Sequence, residues 1–509
     1  MRRVCVLVVV WLAGSGGGWL PAGALQAQGV PAAKRWIVMF HQAGRLPADV
    51  DASIEAAGGK VFDRLTEIGA LGASSAAPDF AEQVAKDPQV KYVVEDRSFP
   101  MLPPSVGAVS FAPAAAGAGP VESPGSDAQT GSEPFYPFQW DKKRMRASNE
   151  GSYAVQQGRP EVVVAVLDTG AQILPTPHPD ILPNLDVARS RSFYLTGGAD
   201  GDPSPTAWDD RNGHGSWCLS AIGAPINGVG ISGVAPRVRL VALKVLGDNG
   251  EGNFLAIARA LIYAGNNRFD VASMSFGAYL DRSNPETQIY FEFLQTALQF
   301  ARLNGVTPIA AMGNDSLDVS DGSVFRSYRI VPAELAGVIG VSATGYFNLK
   351  ASYSNYGVGK VDVSAPGGDT FVQSPSATFP GLGGALGAWA PDNPTLPGAT
   401  YVFSSGTSMA APNAAGVVAL IISQFGDFTA DNSRKPHMSP QAVEARLQRT
   451  ANNQPCPEPS VVTYYLVSPP FPPNTPVPDV EPDQQCHGGP GANGFFGKGI
   501  VDAFKAVTR

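Results

Sequence analysis

The chain has 509 residues, of which only 16% are Asp, Glu, Lys or Arg, and its formal net charge is -8 at pH 7. With 36 basic against 44 acidic side chains there is no cationic excess to hold a polyanion, so nucleic acid is excluded as the expected partner. At 44% apolar residues and a length well beyond one ordinary domain, the chain can bury a large core and is expected to fold as more than one unit.

Residues 1–27 read as an export signal. Arg2 and Arg3 precede an apolar stretch over 4–13, and small residues follow at Ala22, Ala24 and Ala27. That stretch is far short of the roughly 20 residues that span a bilayer. Cleavage near Ala24 or Ala27 is expected, giving a secreted product, extracellular or periplasmic, with no membrane anchor.

Residues 34–99 carry the pattern of a small α+β unit: strands over 36–40, 60–62, 70–74 and 90–94, helices over 51–57 and 79–86. The next stretch, 100–134, is rich in Ala, Gly, Pro and Ser and is expected to be a disordered linker. From residue 135 to 509, apolar runs over 162–167, 239–245, 271–275, 307–312, 338–343 and 360–363 alternate with helix-length segments. Strands apolar throughout imply a mostly parallel sheet covered on both faces, an α/β fold in three layers, with ligands at the carboxyl ends of its strands.

Three segments carry the chemistry. Asp168 ends the first apolar strand, His214 lies between Gly213 and Gly215, and Ser408 stands in G-T-S-M-A-A-P ahead of a very apolar helix. A serine hydroxyl attacks a carbonyl only if a base takes its proton, and an imidazole does so best when a carboxylate orients it. Asn314, in A-A-M-G-N-D, follows another strand and offers an amide to a developing oxyanion. Cys456 and Cys486 bracket a Pro-rich loop that cannot hold a shape unaided, so they are paired as a disulfide closing about 30 residues. Cys218 is read as a small buried residue.

The Asp, His, Ser order, Asn314 and the closing G-K-G-I-V-D-A-F-K-A together resemble the subtilisin-like serine proteases. The first small unit, ending K-D-P-Q-V-K-Y-V-V-E-D, resembles the ferredoxin-like inhibitory propeptide of that family. The resemblance implies a secreted serine endopeptidase, acting as a monomer on protein or peptide substrates, inhibited within the chain by its own propeptide and needing no cofactor for the chemistry. It assigns Asp168, His214 and Ser408 to the triad and Asn314 with the Ser408 N–H to the oxyanion hole. Ser275, Gly277 and Gly250 would bind substrate backbone, with Ile330 and Val331 narrowing the pocket before the cut. A structural calcium is implied at Asp180 and Asn227, with the carbonyls of Val229 and Ile231. The sequence departs from the family pattern at Asn413, where His is usual, at Leu219 and at Trp217, and its loop 367–400 is long enough to flank the cleft. A peptidyl transferase or cyclase would use the same acyl-enzyme, and a silent binding protein would lack one of the four catalytic candidates, all of which are present.

Overall fold

The computed structural model of the chain describes residues 33–102, 106–111, 129–194, 207–323, 325–369, 371–372, 383–429, 436–466 and 483–509. The expected signal at 1–27 lies outside them.

The N-terminal unit runs β1 (Lys34–Phe40), α1 (Val50–Ala56), β2 (Gly59–Leu65), β3 (Ala70–Ser75), α2 (Phe80–Val84) and β4 (Val90–Glu95), folded as an antiparallel sheet in the order β2-β3-β1-β4. Side chains alternate across a strand. Along β1, Val38 and Phe40 pack with Ile54 and Phe80 of the unit's own helices, while Ile37 and Met39 join the core of the larger unit. A strand buried on both faces has no polar positions to spare, which accounts for the unbroken apolar run Trp36, Ile37, Val38, Met39, Phe40.

The chain continues as β5 (Ser98–Pro100), β6 (Val106–Ser110) and α3 (Trp140–Arg144). Then come β7 (Val163–Asp168), β8 (Arg191–Ser192), α4 (His214–Gly223), β9 (Arg239–Lys244), β10 (Glu251–Asn253), α5 (Phe254–Asn266), β11 (Val271–Met274), β12 (Ala278–Asp281) and α6 (Pro285–Leu303). After these follow β13 (Thr307–Ala311), β14 (Tyr328–Val331), β15 (Ile339–Thr344), β16 (Val363–Pro366), β17 (Phe371–Val372), β18 (Ala385–Ala388), β19 (Tyr401–Ser405), α7 (Thr407–Phe425), α8 (Pro440–Thr450) and α9 (Ala503–Thr508). Seven strands form one parallel sheet in the order β16-β15-β13-β11-β7-β9-β8. Ala165 and Leu167 of β7 face the core shared with α5 and α6, and Val164 and Val166 face the core shared with α4 and α7. This is the three-layer arrangement read from the apolar runs.

Helix α7 is long and apolar enough to cross a membrane, yet 89% of its most apolar window is buried inside the protein. It is the core helix under the sheet, and the serine sits on its first turn.

The stretch 100–134, expected to lack regular structure, holds a strand. β6 pairs antiparallel with β19, Val109 opposite Phe403 and Ser110 opposite Val402. A strand whose partner lies some 300 residues away leaves little local trace in an Ala- and Gly-rich sequence.

The expected disulfide is present, Cys456 to Cys486 across a sequence separation of 30, against a small cluster of Val462, Tyr464, Phe495 and Phe496. Replacing both cysteines with serine is expected to lower unfolding stability by about 2–4 kcal/mol, read as a lower guanidinium midpoint. An unchanged midpoint would show that the aromatic cluster holds the loop alone.

Candidate active site

Asp168 ends β7 at the carboxyl edge of the sheet and is fully buried. Its Oδ1 accepts hydrogen bonds from the Thr169 N–H and the His214 Nδ1–H, each at 2.8 Å, while its Oδ2 has no hydrogen-bond partner. A buried carboxylate with one lone oxygen is costly, and the contact with the imidazole offsets that cost. Burial alone would lower the His214 pKa, but the Asp168 charge and hydrogen bond, with the Asp210 charge behind them, raise it above 6.5.

His214 opens α4, and its approach to Asp168 is built by neighbours whose side chains face the backbone. Asp210 Oδ1 accepts from Thr169 Oγ1 and the Asn212 and Gly213 N–H groups, and its Oδ2 accepts from the Ser216 N–H and hydroxyl. A carboxylate at a helix N-terminus satisfies donors that have no partner within the helix. Thr169 Oγ1 accepts the Gly215 N–H at 2.8 Å, and a Cβ on Gly215 would lie 2.3 Å from the Gly170 carbonyl. The glycine after His214 is therefore needed for close approach. On the other side of the turn, Lys244 Nζ donates to the Thr169 carbonyl and to Asp248. Asp210, Thr169 and Lys244 were not singled out by sequence, since each binds main chain from a distant segment.

Ser408 is the second residue of α7, 4% exposed. Four residues on, Pro412 has no N–H to bond the Ser408 carbonyl. That carbonyl faces the Cys218 thiol at 3.7 Å, and the same sulfur lies 3.9 Å from His214 Nδ1, so α4 brings imidazole and serine to one spot. The thiol is buried and its pKa is pushed up, first by burial and then by the Asp168 charge, as befits a packing residue. The Ser408 hydroxyl donates to the Ser275 carbonyl at 2.9 Å.

Asn314 uses its Oδ1 to accept from the Thr407 N–H and hydroxyl. Its Nδ2 is thereby turned to the serine: a methyl group on Gly406 would lie 3.3 Å from Asn314 Nδ2 and 3.5 Å from the Ser408 nitrogen. Two N–H donors thus share one notch that glycine leaves open.

Of the residues expected to bind substrate backbone, Gly277 lines the cavity beside Ser408, and both Gly277 and Gly250 bond the chain's own segment there. β5 pairs antiparallel with β10, Phe99 opposite Gly252 and Pro100 opposite Glu251. The Met101 and Leu102 N–H groups donate to the Gly250 carbonyl, and the Gly277 N–H donates to the Met101 carbonyl at 3.0 Å. Phe99 lies against Phe254 and Tyr290 at ring distances of 4.9 and 5.5 Å. A cavity of about 250 Å³ beside Ser408 is bounded by Leu102, Gly277, Tyr279, Asp315 and Ile330 among others. Val331 does not line it. It pairs with Ala278 behind the wall, because neighbouring strand residues point to opposite faces.

The departures from the family pattern also find partners. Asn413 bonds the buried Asp141 and Lys142 pair. Trp217 packs against Gly387, and Trp389 against Gly213. In the loop after β18, Asn393 Nδ2 donates to the Asn212 carbonyl, so part of the stretch 367–400 does brace the turn that carries His214.

Asp180 lies buried among other polar groups, beside Tyr401 and the backbone of Ile231. Its Oδ2 accepts from the Tyr401 hydroxyl at 2.6 Å and the Ile231 N–H at 3.1 Å, and its Oδ1 is buried without a partner. Glu133, which sequence reading missed inside the presumed linker, accepts the Gly228 N–H on Oε1 and buries Oε2 without a partner. Burial and the Glu133 charge raise the Asp180 pKa to about 7 against these bonds. Two lone buried carboxylate oxygens beside the Asn227 loop form a donor set that fits a hard cation. Asn227 Oδ1, expected as a ligand, accepts the Val229 N–H.

The profile of the peptidase S8 Subtilase family matches residues 159–499. M-protease of Shouchella clausii is 37% identical over 290 residues, covering 57% of this chain and 59% of that protein. Subtilisin Savinase of Lederbergia lenta is 35% identical over 292 residues, covering 57% of this chain and 84% of that protein. Among solved structures, the epidermin leader peptide processing serine protease of Staphylococcus aureus superposes with TM-score 0.65 at 19% identity, covering 93% of this chain and 98% of that one, a likeness of fold. A parallel seven-stranded sheet with Asp168, His214 and Ser408 gathered at its carboxyl edge, and a family match over most of the larger unit, lead to one conclusion: the chain belongs to the subtilase family.

Proposed function

We propose that the chain is an exported serine endopeptidase that hydrolyses peptide bonds through an acyl-enzyme on Ser408. The observation that carries this reading is the 2.8 Å bond between the buried Asp168 and His214 Nδ1, beside a serine whose cavity is walled in part by an extended strand of the chain itself. With Nδ1 engaged as donor, the other ring nitrogen is left as the base. The Ser408 hydroxyl turns from the Ser275 carbonyl to that nitrogen, gives up its proton and attacks the substrate carbonyl. The imidazolium formed is stabilised by Asp168 and returns the proton to the leaving amine. Asn314 Nδ2 and the Ser408 N–H receive the oxyanion in the notch at Gly406. Substrate backbone would bind Gly250, Ser275 and Gly277, where strand β5 and its continuation support the reading. Residues 34–99 act as the intramolecular inhibitor, released when the chain is cut. Calcium held by Asp180 and Glu133 would stiffen the loop around Asn227 and takes no part in the chemistry. The mature enzyme acts as a monomer on protein or peptide substrates.

Leu102 lines the cavity beside Ser408, and Val106 pairs opposite Ser405, three residues before the serine. Self-cutting is therefore expected at a bond between residues 102 and 106. Mass spectrometry of the mature N-terminus, with Ser408→Ala remaining uncut and unlabelled by a fluorophosphonate, checks this. A wild type that is neither cut nor labelled would refute the protease reading.

Because the base must be neutral, kcat/KM is expected to fall as pH drops through a midpoint above 6.5, the raised His214 value. Asp168→Asn removes the main raising influence, so the midpoint should move down and the rate should drop by about 10⁴-fold. Asn314→Ala should cost about 10²–10³-fold in kcat, the loss known for that donor in subtilisin. A pH profile on a peptide substrate checks both.

Chelator is expected to lower the melting temperature of the wild type by about 5 °C or more, and to have no effect on Asp180→Asn. Equal melting curves with and without chelator would remove the calcium.

A further inference from the structure

His214 follows a glycine, and glycine is the residue least able to hold a turn by itself. Gly213 sits at φ +94, a left-handed conformation, and the peptide that joins it to Asn212 leads into the first turn of α4. Asp210 secures this peptide from one side by accepting the Gly213 N–H at 2.9 Å. The loop between β18 and β19 secures it from the other side, where Asn393 Nδ2 donates to the Asn212 carbonyl. The Trp389 ring completes the grip: a Cβ placed on Gly213 would lie 2.5 Å from it, so the indole covers the glycine where a side chain would stand.

The loop 389–400 is itself stiff. Its sequence, W-A-P-D-N-P-T-L-P-G-A-T, fixes φ at Pro391, Pro394 and Pro397. Asn393 Oδ1 accepts from the Thr395 and Leu396 N–H groups, the Gly398 N–H donates to the Pro391 carbonyl at 2.6 Å, and the Trp389 N–H donates to the Thr400 carbonyl at 2.7 Å. At its root the Ala388 N–H donates to the Ser220 hydroxyl of α4 at 3.0 Å. Trp389 and Trp217 of α4 share one buried cluster with Met409, the residue after Ser408. The helix that carries the imidazole and the helix that carries the serine are therefore joined through this loop as well as across the sheet. Trp389 Nε1 is buried with no hydrogen-bond partner among the described residues, so the turn uses the shape of the ring and not its N–H. Residues 389–400 do not line the cavity beside Ser408.

We propose that residues 389–400 are a positioning clamp for the His214 imidazole, in which Trp389 fixes the conformation of Gly213 and Asn393 fixes the peptide between Asn212 and Gly213. The clamp rests on the protease reading. Without it the glycine regains other backbone conformations, and His214 Nδ1 spends part of its time away from Asp168. A misplacement of about 1 Å costs on the order of 10²-fold in rate. Because the loop stands outside the cavity, substrate binding is left as it was and the loss falls on the chemical step.

The test uses full-length protein allowed to mature, as wild type, Trp389→Ala, Trp389→Phe and Asn393→Ser, with competent sites counted by fluorophosphonate labelling run to completion. In Trp389→Ala, kcat per labelled site is expected to fall by about 10–10²-fold, and in Trp389→Phe, which keeps a ring over Gly213, to return to within about three-fold of wild type. KM should change by less than about two-fold throughout. The titratable groups around the imidazole are Asp168 on β7, Asp210 ahead of α4 and Cys218 on α4. None is altered in these variants, so a His214 that drifts from Asp168 shows itself as a kcat/KM profile whose acid midpoint moves down. Asn393→Ser leaves a hydroxyl to accept from the loop's own N–H groups and removes the donor to Asn212, and the same pattern is expected at about three- to ten-fold in kcat. That variant decides the question if Trp389→Ala does not fold. Unchanged kcat and midpoint at labelled sites, whatever the melting temperature, would overturn the clamp and leave the protease reading standing. A raised KM at unchanged kcat would overturn it too, by placing the loop against the substrate. A wild type that neither labels nor hydrolyses would bring down the protease reading, and the clamp with it.

Discussion

The arrangement of the site depends on a single buried contact, Asp168 Oδ1 to His214 Nδ1 at 2.8 Å. The two residues come from different segments, the end of a central strand and the start of a helix, and neither position is favourable alone. A carboxylate with no exposure and one unpartnered oxygen demands a compensating donor. The imidazole supplies it only if the first turn of α4 is pressed against the turn after β7. Gly215 allows that approach, Thr169 bonds across it, and Asp210 gathers the helix's free N–H groups with both oxygens. Lys244 closes the ring from the adjoining strand, where it pairs in register with Asp168. The polar groups around Asp168 and His214 are thus used to hold main chain in place, which is how a small tolerance in position can be met by a fold built from distant pieces.

Placement of the serine follows from a different rule. α7 is so thoroughly buried that its first turn cannot move without disturbing contacts with β11, β13, β15 and β16. Pro412 inside it removes one helical hydrogen bond, and the carbonyl left over is that of Ser408, which the Cys218 thiol faces. Asn413, beside Pro412, turns inward to the Asp141 and Lys142 pair, which has no exposed side-chain surface. A buried ion pair adds little net stability compared with apolar packing, but losing one partner is severe. The amide of Asn413 bonds both charged groups, and Asp141 Oδ1 stays buried without a hydrogen-bond partner.

The sequence made the sheet legible because its strands are buried on both faces and read as apolar runs, and the segments of Asp168, His214 and Ser408 stood out because glycine-flanked His and small-residue helix starts are local signals. Strand ends were less so: the run at 360–363 forms its strand at Val363–Pro366, where backbone pairing with β15 and not hydropathy sets the limits. β8 has two residues and leaves no pattern at all. Asp210, Lys244 and Glu133 were invisible for a common reason: each bonds backbone brought close by the fold, and such a bond places no constraint on neighbouring residue types. β6 was missed because its support is a strand far along the chain and a cluster of rings that gathers Phe111, Phe135, Phe138 and Phe403 from three places.

The same long-range contacts bear on the inhibition proposed for residues 34–99. Ile37, Met39, Leu65, Ile68 and Val94 share one continuous core with Phe254, Leu255 and Phe293 of α5 and α6, and Asp96 accepts the Leu255 N–H at the start of α5. While the chain is intact, the strand in the cleft binds within one molecule, and its effective concentration is set by the tether, on the order of millimolar for a short linker. The proposed cut between 102 and 106 removes that advantage for the entering half alone, because Val106–Phe111 stays in one chain with β19. The entering half is then held by the shared apolar core. Under the proposed function, inhibition after the cut is therefore governed by the apolar face that residues 34–99 share with α5 and α6.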